Sequence, residues 1–167
     1  MRYTIRDARP EDAADLLAIY APFVTGTTVS FELEVPSLEE FTHRVERTAA
    51  RYAYLVAEDA ETGEVAGYAY NSSFRSRPAY GYASEISIYL APAHQRHGLG
   101  SQLLDELEHR MREQGMRMSE ACITSDNAGS IAFHERHGYR ICGEHHTCGY
   151  KLGQWLSVTW MEKDLTA

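Results

Sequence analysis

The sequence predicts a single α/β domain over residues 1–167, with a mostly antiparallel central sheet flanked by helices. Three observations predict it. Stretches with strand-like alternation of apolar residues are interleaved with stretches that repeat at helical spacing. Near the middle, a strand, a glycine-rich loop, a helix and another strand follow directly, with no linker between them. The chain has 167 residues, 44% hydrophobic and 24% charged, which is ordinary for one domain with its own core.

The elements can be read in order. TIRDARPEDAADLLAIY opens with a short alternating strand, and Pro10 stands where a first helical turn tolerates proline. Leu16, Leu17, Ile19, Tyr20 and Phe23 then share one helical face. SLEE, from Ser37 to Glu40, is a capping box that starts a second helix running to about Ala50. Residues 52–59 and 64–74 alternate as strands around a Thr62-Gly63 turn and make a hairpin. Residues 79–90 form the next strand, with Ile86, Ile88 and Leu90 on one face and Ala83, Glu85, Ser87 and Tyr89 on the other. A helix from about Leu99 carries Leu103, Leu104, Leu107 and Met111 as a stripe and stops at Gly115. A strand at 118–123, a helix from Asn127 to His137 closed by Gly138, and strands near 142–150 and 157–165 complete the chain.

Bulk properties exclude several classes. The formal net charge is -8 with no basic stripe, which argues against nucleic acid as a main partner. No apolar run approaches a membrane span, and MRYTIRDARPEDA has neither a signal region nor a lipidation motif. Cys122, Cys142 and Cys148 make no CxxC pair, which suits a reducing, cytoplasmic setting. Cys142, His145, His146 and Cys148 lack the spacing of a zinc motif, and no metal is expected.

HQRHGLGSQLL (94–104) carries the chemistry. A helix N-terminus offers unpaired N–H groups to an anion, and glycines let the backbone come close. A P-loop needs Lys then Ser or Thr after its second glycine, whereas Ser101-Gln102 follow Gly100. A dinucleotide fingerprint needs Gly or Ala three residues after that glycine, where Leu103 stands. What remains is Gln95-x-x-Gly98-x-Gly100 between a strand and a helix, which resembles the pyrophosphate loop of the GNAT acetyltransferases. GYAYNSSFRSRPAYGYASEISIYLAPAHQRHGLG, NAGSIAFHERHGY and GYKLGQW, in order between about Thr28 and Trp160, resemble the phosphinothricin acetyltransferase-like branch of that family.

That resemblance implies a GNAT fold with a splayed strand pair, acetyl-coenzyme A as co-substrate and a small amino-acid-like amine as acceptor. It implies that Gln95, Arg96, His97, Gly98, Leu99, Gly100 and Ser101 cradle the pyrophosphate. The backbone of Ile88, Tyr89 and Leu90 would meet the pantetheine arm, with Asn127 either touching that arm or capping its helix. A homodimer is the branch's usual state.

Glu85 faces away from Ile86 and Ile88, and amine acetylation needs a base to release the nitrogen lone pair. The alternative for Glu85 is a salt-bridged strand carboxylate. His134 and His137 are spaced i and i+3, which rules out the zincin pattern. By its place in the resembling motif, His134 is a second base or the acid for the departing thiolate. Arg75 and Arg77 offer the forked donors that a carboxylate or phosphinate needs, and Phe31, Tyr70 and Tyr80 are candidate pocket walls. The sequence departs from the branch at Leu156-Ser157, where a polar-acidic pair is common, and at Phe41, where Trp is common. Phosphinothricin and methionine sulfoximine or sulfone are the branch's acceptors. An acetyltransferase for another amine (a protein N-terminus or an aminoglycoside) and a non-catalytic coenzyme A-binding regulator remain open alternatives.

Overall fold

The computed structural model describes residues 2–166. Within them the strands are β1 (Tyr3–Asp7), β2 (Tyr54–Asp59), β3 (Val65–Ser73), β4 (Ala83–Leu90), β5 (Met118–Thr124), β6 (Arg140–Lys151) and β7 (Gln154–Asp164). The helices are α1 (Ala13–Gly26), α2 (Leu38–Ala49), α3 (Leu99–Glu113) and α4 (Ala128–Arg136). The sheet has the strand order β1-β2-β3-β4-β5-β7-β6. Pairs β1–β2, β2–β3, β5–β7 and β6–β7 are antiparallel, and β4–β5 is parallel. A parallel pair needs a crossover, which the glycine loop and α3 supply.

Contacts divide the chain into two compact units, and β4 contributes to both. The first holds the chain up to Tyr20, Pro36–Ser72 and Ile86–Gly115. Its core is set by the α3 stripe: Leu103, Leu104, Leu107 and Met111 are fully buried, as are Leu55 and Val56 of β2. Helical spacing puts those α3 residues on one face, so burying them fixes the helix's orientation. Ser37 Oγ accepts the Glu40 N–H at 3.2 Å and starts α2, while the Glu40 carboxylate takes the Arg44 Nε–H at 2.9 Å, one turn on. Arg6 joins Asp12 and Glu58: its Nη1 and Nη2 donate to the two Asp12 oxygens at 2.8 and 2.7 Å.

The second unit holds Ala21–Val35, Ser73–Glu85 and the chain from Met116 onward. Val24, Ala121, Ile123, Val158 and Met161 form its apolar interior. Three strands differ from the sequence reading. The strand expected over 79–90 starts only at Ala83, because Pro78–Tyr80 is a 3-10 turn with proline at its first position. The last two strands are longer than expected and join through Leu152-Gly153, both at positive φ (51° and 77°). That is the backbone of a two-residue hairpin turn, with leucine in a position usually held by Asn or Gly.

Candidate active site

The first unit builds the loop site. β4 ends at Leu90, where Ala91 N–H donates to the Ala66 carbonyl at 2.9 Å. Gly67 makes this approach possible: a Cβ there would lie 2.8 Å from the Tyr89 carbonyl oxygen and 2.7 Å from Leu90 Cδ2. Pro92–His94 makes a 3-10 turn, and Gln95 reaches back, its Nε2 donating to the Leu90 carbonyl at 3.4 Å. Arg96 and Gly98 both take left-handed conformations, at φ 62° and 78°. Gly98 is the N-cap of α3 and has no side chain to cap it. A 15-residue helix therefore starts behind a left-handed turn that aims backbone N–H groups outward, the geometry that favours an anion. Gln95, Arg96, His97 and Gly98 are exposed, Leu99 is buried in the core, and Gly100 and Ser101 are half-buried in the first helical turn. Tyr70, expected at a pocket wall, stacks on Tyr54 (4.8 Å between centroids) within a group that also contains Tyr68.

The second unit holds Glu85. The parallel register of β4 with β5 is Ala83↔Met118, Ser84↔Ser119 and Glu85↔Glu120. Burial raises the Glu85 pKa, and the positive charge of Arg75 opposes that rise. Glu120, on the same face as its register partner, was not singled out from the sequence. Burial, then the charge of Glu85, pushes it up to about 7. Arg75 lies over the Phe74 ring (4.2 Å) and near Trp160 (5.7 Å), and its Nη1 donates to the Phe74 carbonyl at 2.7 Å. Burial and then the charges of Glu85 and Glu120 push the Cys122 thiol up to about 12, although part of that residue is exposed. A thiol held so high is a poor nucleophile, which leaves carboxylates as the bases of this face.

His134 sits elsewhere. Its ring packs edge-on against Tyr139 at 5.1 Å, and the Tyr139 hydroxyl shares a buried 2.7 Å hydrogen bond with Ser119 Oγ. Ser119 precedes Glu120 on a strand, so the His134 side of β5 is the face opposite the carboxylates. His134 Nδ1–H donates to the Ser130 carbonyl at 2.8 Å, which puts the lone pair of the neutral ring on Nε2. Asn127 caps α4, its Oδ1 accepting the Ser130 N–H at 3.1 Å. Phe31 and Tyr80 are both exposed, the former against Gly149 and the latter edge-on to Phe74. Arg77 is exposed and caps the 3-10 turn through its backbone only. Leu156 is buried, and Ser157 Oγ accepts the Thr147 N–H at 3.1 Å where β6 bulges. Among the described residues, no group of three or more His, Cys, Asp or Glu could hold a metal ion, and no helix is long and apolar enough to cross a membrane.

Residues 5–160 match the family model described as Acetyltransferase (GNAT) domain. The chain is a GNAT acetyltransferase. It is 38% identical to an L-methionine sulfoximine/L-methionine sulfone acetyltransferase of Pseudomonas paraeruginosa, over 99% of this chain and 96% of that protein. It is 37% identical to a phosphinothricin N-acetyltransferase of Streptomyces viridochromogenes, over 95% of this chain and 87% of that one. A crystal structure of a phosphinothricin acetyltransferase from Sinorhizobium meliloti in complex with AcCoA superposes with a TM-score of 0.93 at 36% identity, covering 98% of this chain and 89% of the other.

GNAT enzymes draw their acetyl group from acetyl-CoA, and the loop site suits its phosphates. The left-handed turn, the uncapped glycine start of α3 and the Arg96 guanidinium are all donors or cations, with no carboxylate among residues 94–104. Two features of this acetyltransferase escaped the sequence reading. Gly67 stands in a plain alternating strand, and only its distance to β4 gives it meaning. Glu120 lies in MSEACI, which the sequence marks only as a strand, and it is 6% exposed. A charged residue inside a central strand is unusual enough to have signalled it.

Proposed function

We propose that this enzyme moves the acetyl group of acetyl-CoA to the α-amino group of a small amino-acid analogue of the phosphinothricin or methionine sulfoximine and sulfone type, inactivating it. The observation that carries this reading is that the charge of Arg75 acts on the part-buried Glu85 carboxylate: a forked carboxylate-binding donor and a base within one unit are what an α-amino acid head requires. In the first unit, Gln95–Ser101 hold the pyrophosphate, and the backbone of Ile88–Leu90 hydrogen-bonds the pantetheine amides. In the second, Arg75, joined by Arg77, holds the acceptor carboxylate or phosphinate beside Phe31 and Tyr80. Tyr70 belongs to the tyrosine stack of the first unit rather than to the acceptor site, and Asn127 serves mainly as a helix cap.

The mechanism follows from these placements. Glu85 accepts a proton from the acceptor ammonium, freeing the lone pair for attack on the thioester. Backbone N–H groups near Tyr89 stabilise the negative charge that develops on the carbonyl oxygen. The coenzyme A thiolate departs and takes its proton from solvent, because the His134 ring lies on the other face of β5 from Glu85. Similarity to the two relatives supports this acceptor class. A homodimer, a cytoplasmic setting and a detoxifying, herbicide-resistance role belong to the same proposal.

The test is free-thiol release from acetyl-CoA with phosphinothricin, methionine sulfoximine, methionine sulfone, ordinary amino acids and an aminoglycoside. Turnover confined to the first three establishes the reading. Turnover only with the aminoglycoside overturns the acceptor assignment, and coenzyme binding without turnover points to a regulator.

A further inference from the structure

The register of the second unit lines up three carboxylates. Glu85 pairs with Glu120 across β4–β5, Glu120 pairs with Glu162 across β5–β7, and Glu162 pairs with Arg140 across β7–β6. Register partners project to the same face, and neighbouring strands lie about 4.8 Å apart. The two ends of the row have cations. Arg140 Nη2 donates to Glu162 Oε1 at 2.7 Å, and the charge of Arg75 acts on Glu85. Glu120, in the middle, is 6% exposed, and its Oε2 is buried with no hydrogen-bond partner.

Such a residue costs stability. A buried, unpartnered carboxyl oxygen between two like charges is disfavoured both by desolvation and by repulsion, and an apolar side chain would serve the strand better. The charge of Arg75 offsets only part of that cost. The cost is understandable if the row has work to do at its one end that carries the base. We propose that Glu120 is a positioning residue of the catalytic machinery: it and Glu85 take up protons as one carboxyl pair, and Glu120 sets how strongly Glu85 holds the proton drawn from the acceptor amine. This rests on Glu85 being the base, as argued under the proposed function.

The chemistry balances simply. One N–H bond of the ammonium breaks, its electrons stay on nitrogen as the attacking lone pair, and the proton goes to the Glu85 carboxylate. When Glu120 is ionised, its charge one strand away makes Glu85 hold that proton more tightly; when Glu120 is protonated, Glu85 is a weaker base. The pair therefore titrates in coupled steps, and its upper step lies near neutral pH. The other charged or titratable groups facing Glu120 are Glu162 on β7, Arg75 before β4, Cys122 on its own strand and Cys142 on β6. Cys148, also on β6, acts on Cys122.

Glu120→Gln tests the pair, with Glu120→Asp as the carboxyl-retaining partner variant. In the full-length enzyme, carbon-13 NMR of the glutamate carboxyls reports titration without any need for turnover. Wild type should show two coupled steps for Glu85 and Glu120. Glu120→Gln should leave Glu85 with one step at lower pH, and Glu120→Asp should restore two. In the pH profile of kcat/KM for a working acceptor, the acid limb should move to lower pH in Glu120→Gln by about one unit, a tenfold change in proton affinity. The high-pH plateau should fall several-fold, with the KM for acetyl-CoA unchanged. An identical Glu85 titration in wild type and Glu120→Gln overturns the proposal, whatever the activity. Coupled steps in a protein that acetylates none of the tested amines uphold the pair and overturn the acceptor reading.

Discussion

The ring of Phe31 occupies the space that a side chain at Gly149 would need. A Cβ at position 149 would lie within 2.9 Å of Phe31 Cδ2, closer than carbon atoms pack. Nearby, Lys151 Nζ donates to the Ser30 carbonyl at 2.5 Å, so β6 fixes the 28–31 segment through a missing side chain and an ammonium. Gly149→Ala must displace the ring. Such overpacking costs about 1–3 kcal/mol in melting experiments. If Phe31 walls the acceptor site, the acceptor KM rises about tenfold while the KM for acetyl-CoA stays put. An unchanged acceptor KM removes Phe31 from that role.

Gly98→Ala isolates the conformation of the loop. Gly98 sits at φ 78°, and a Cβ there would meet nothing within 4 Å, so the only penalty is the left-handed backbone, about 1–2 kcal/mol. Gly63, at φ 75° and equally open, is the matched control in the β2–β3 turn. Both variants should lose similar stability, but only Gly98→Ala should weaken acetyl-CoA binding, by about tenfold in calorimetry. Equal affinity in the two variants would show that the turn before α3 is not the coenzyme cradle.

Why the loop was legible and Glu120 was not is a matter of range. Gly98, Leu99 and the α3 stripe are specified within a few residues by turn chemistry and helical period, and the structure places them as that pattern requires. The outward face of Glu85 follows from alternation with Ile86 in the same strand. Glu120 takes its meaning from the register of β4, β5 and β7, and no local pattern encodes which carboxylate lands beside which. The same limit applies to His134, whose motif position suggested partnership with Glu85. Its link through Tyr139 to Ser119 puts it on the opposite face of β5.

Asp12 ties β1 to the start of α1. It accepts from Arg6 Nη1 and Nη2 and from the Arg9 N–H at 2.7 Å, and the Arg6 hydrogen bond is the main cause holding its carboxyl below the usual range. Its folded pKa lies below its unfolded one, so its contribution is present above the unfolded value and disappears as pH falls through the folded value. Asp12→Ala should cost about 2–3 kcal/mol at pH 7, less than breaking a fully buried pair because Arg6 is part exposed. At pH 2 the difference from wild type should shrink. A constant difference across that range would mean that Asp12 contributes packing rather than charge.

Glu120 should have the reverse signature, and it can be measured without any substrate. Its folded pKa of about 7 lies above the unfolded value of about 4.3, so the folded state binds more protons than the unfolded state between them. Stability is therefore fullest below about pH 4.3 as far as this group is concerned, and it declines as pH rises towards 7. The largest decline the shift allows is about 3–4 kcal/mol, and the coupling to Glu85 spreads it over a wider pH range. Glu120→Gln keeps the shape of the side chain and removes the charge. It should be more stable than wild type at pH 8, nearly equal to it at pH 5, and flatter in between when urea midpoints are followed. A Glu120→Gln protein that is less stable at pH 8 would mean that the buried carboxylate has a partner that holds it ionised, and the three-carboxylate row would lose its tension.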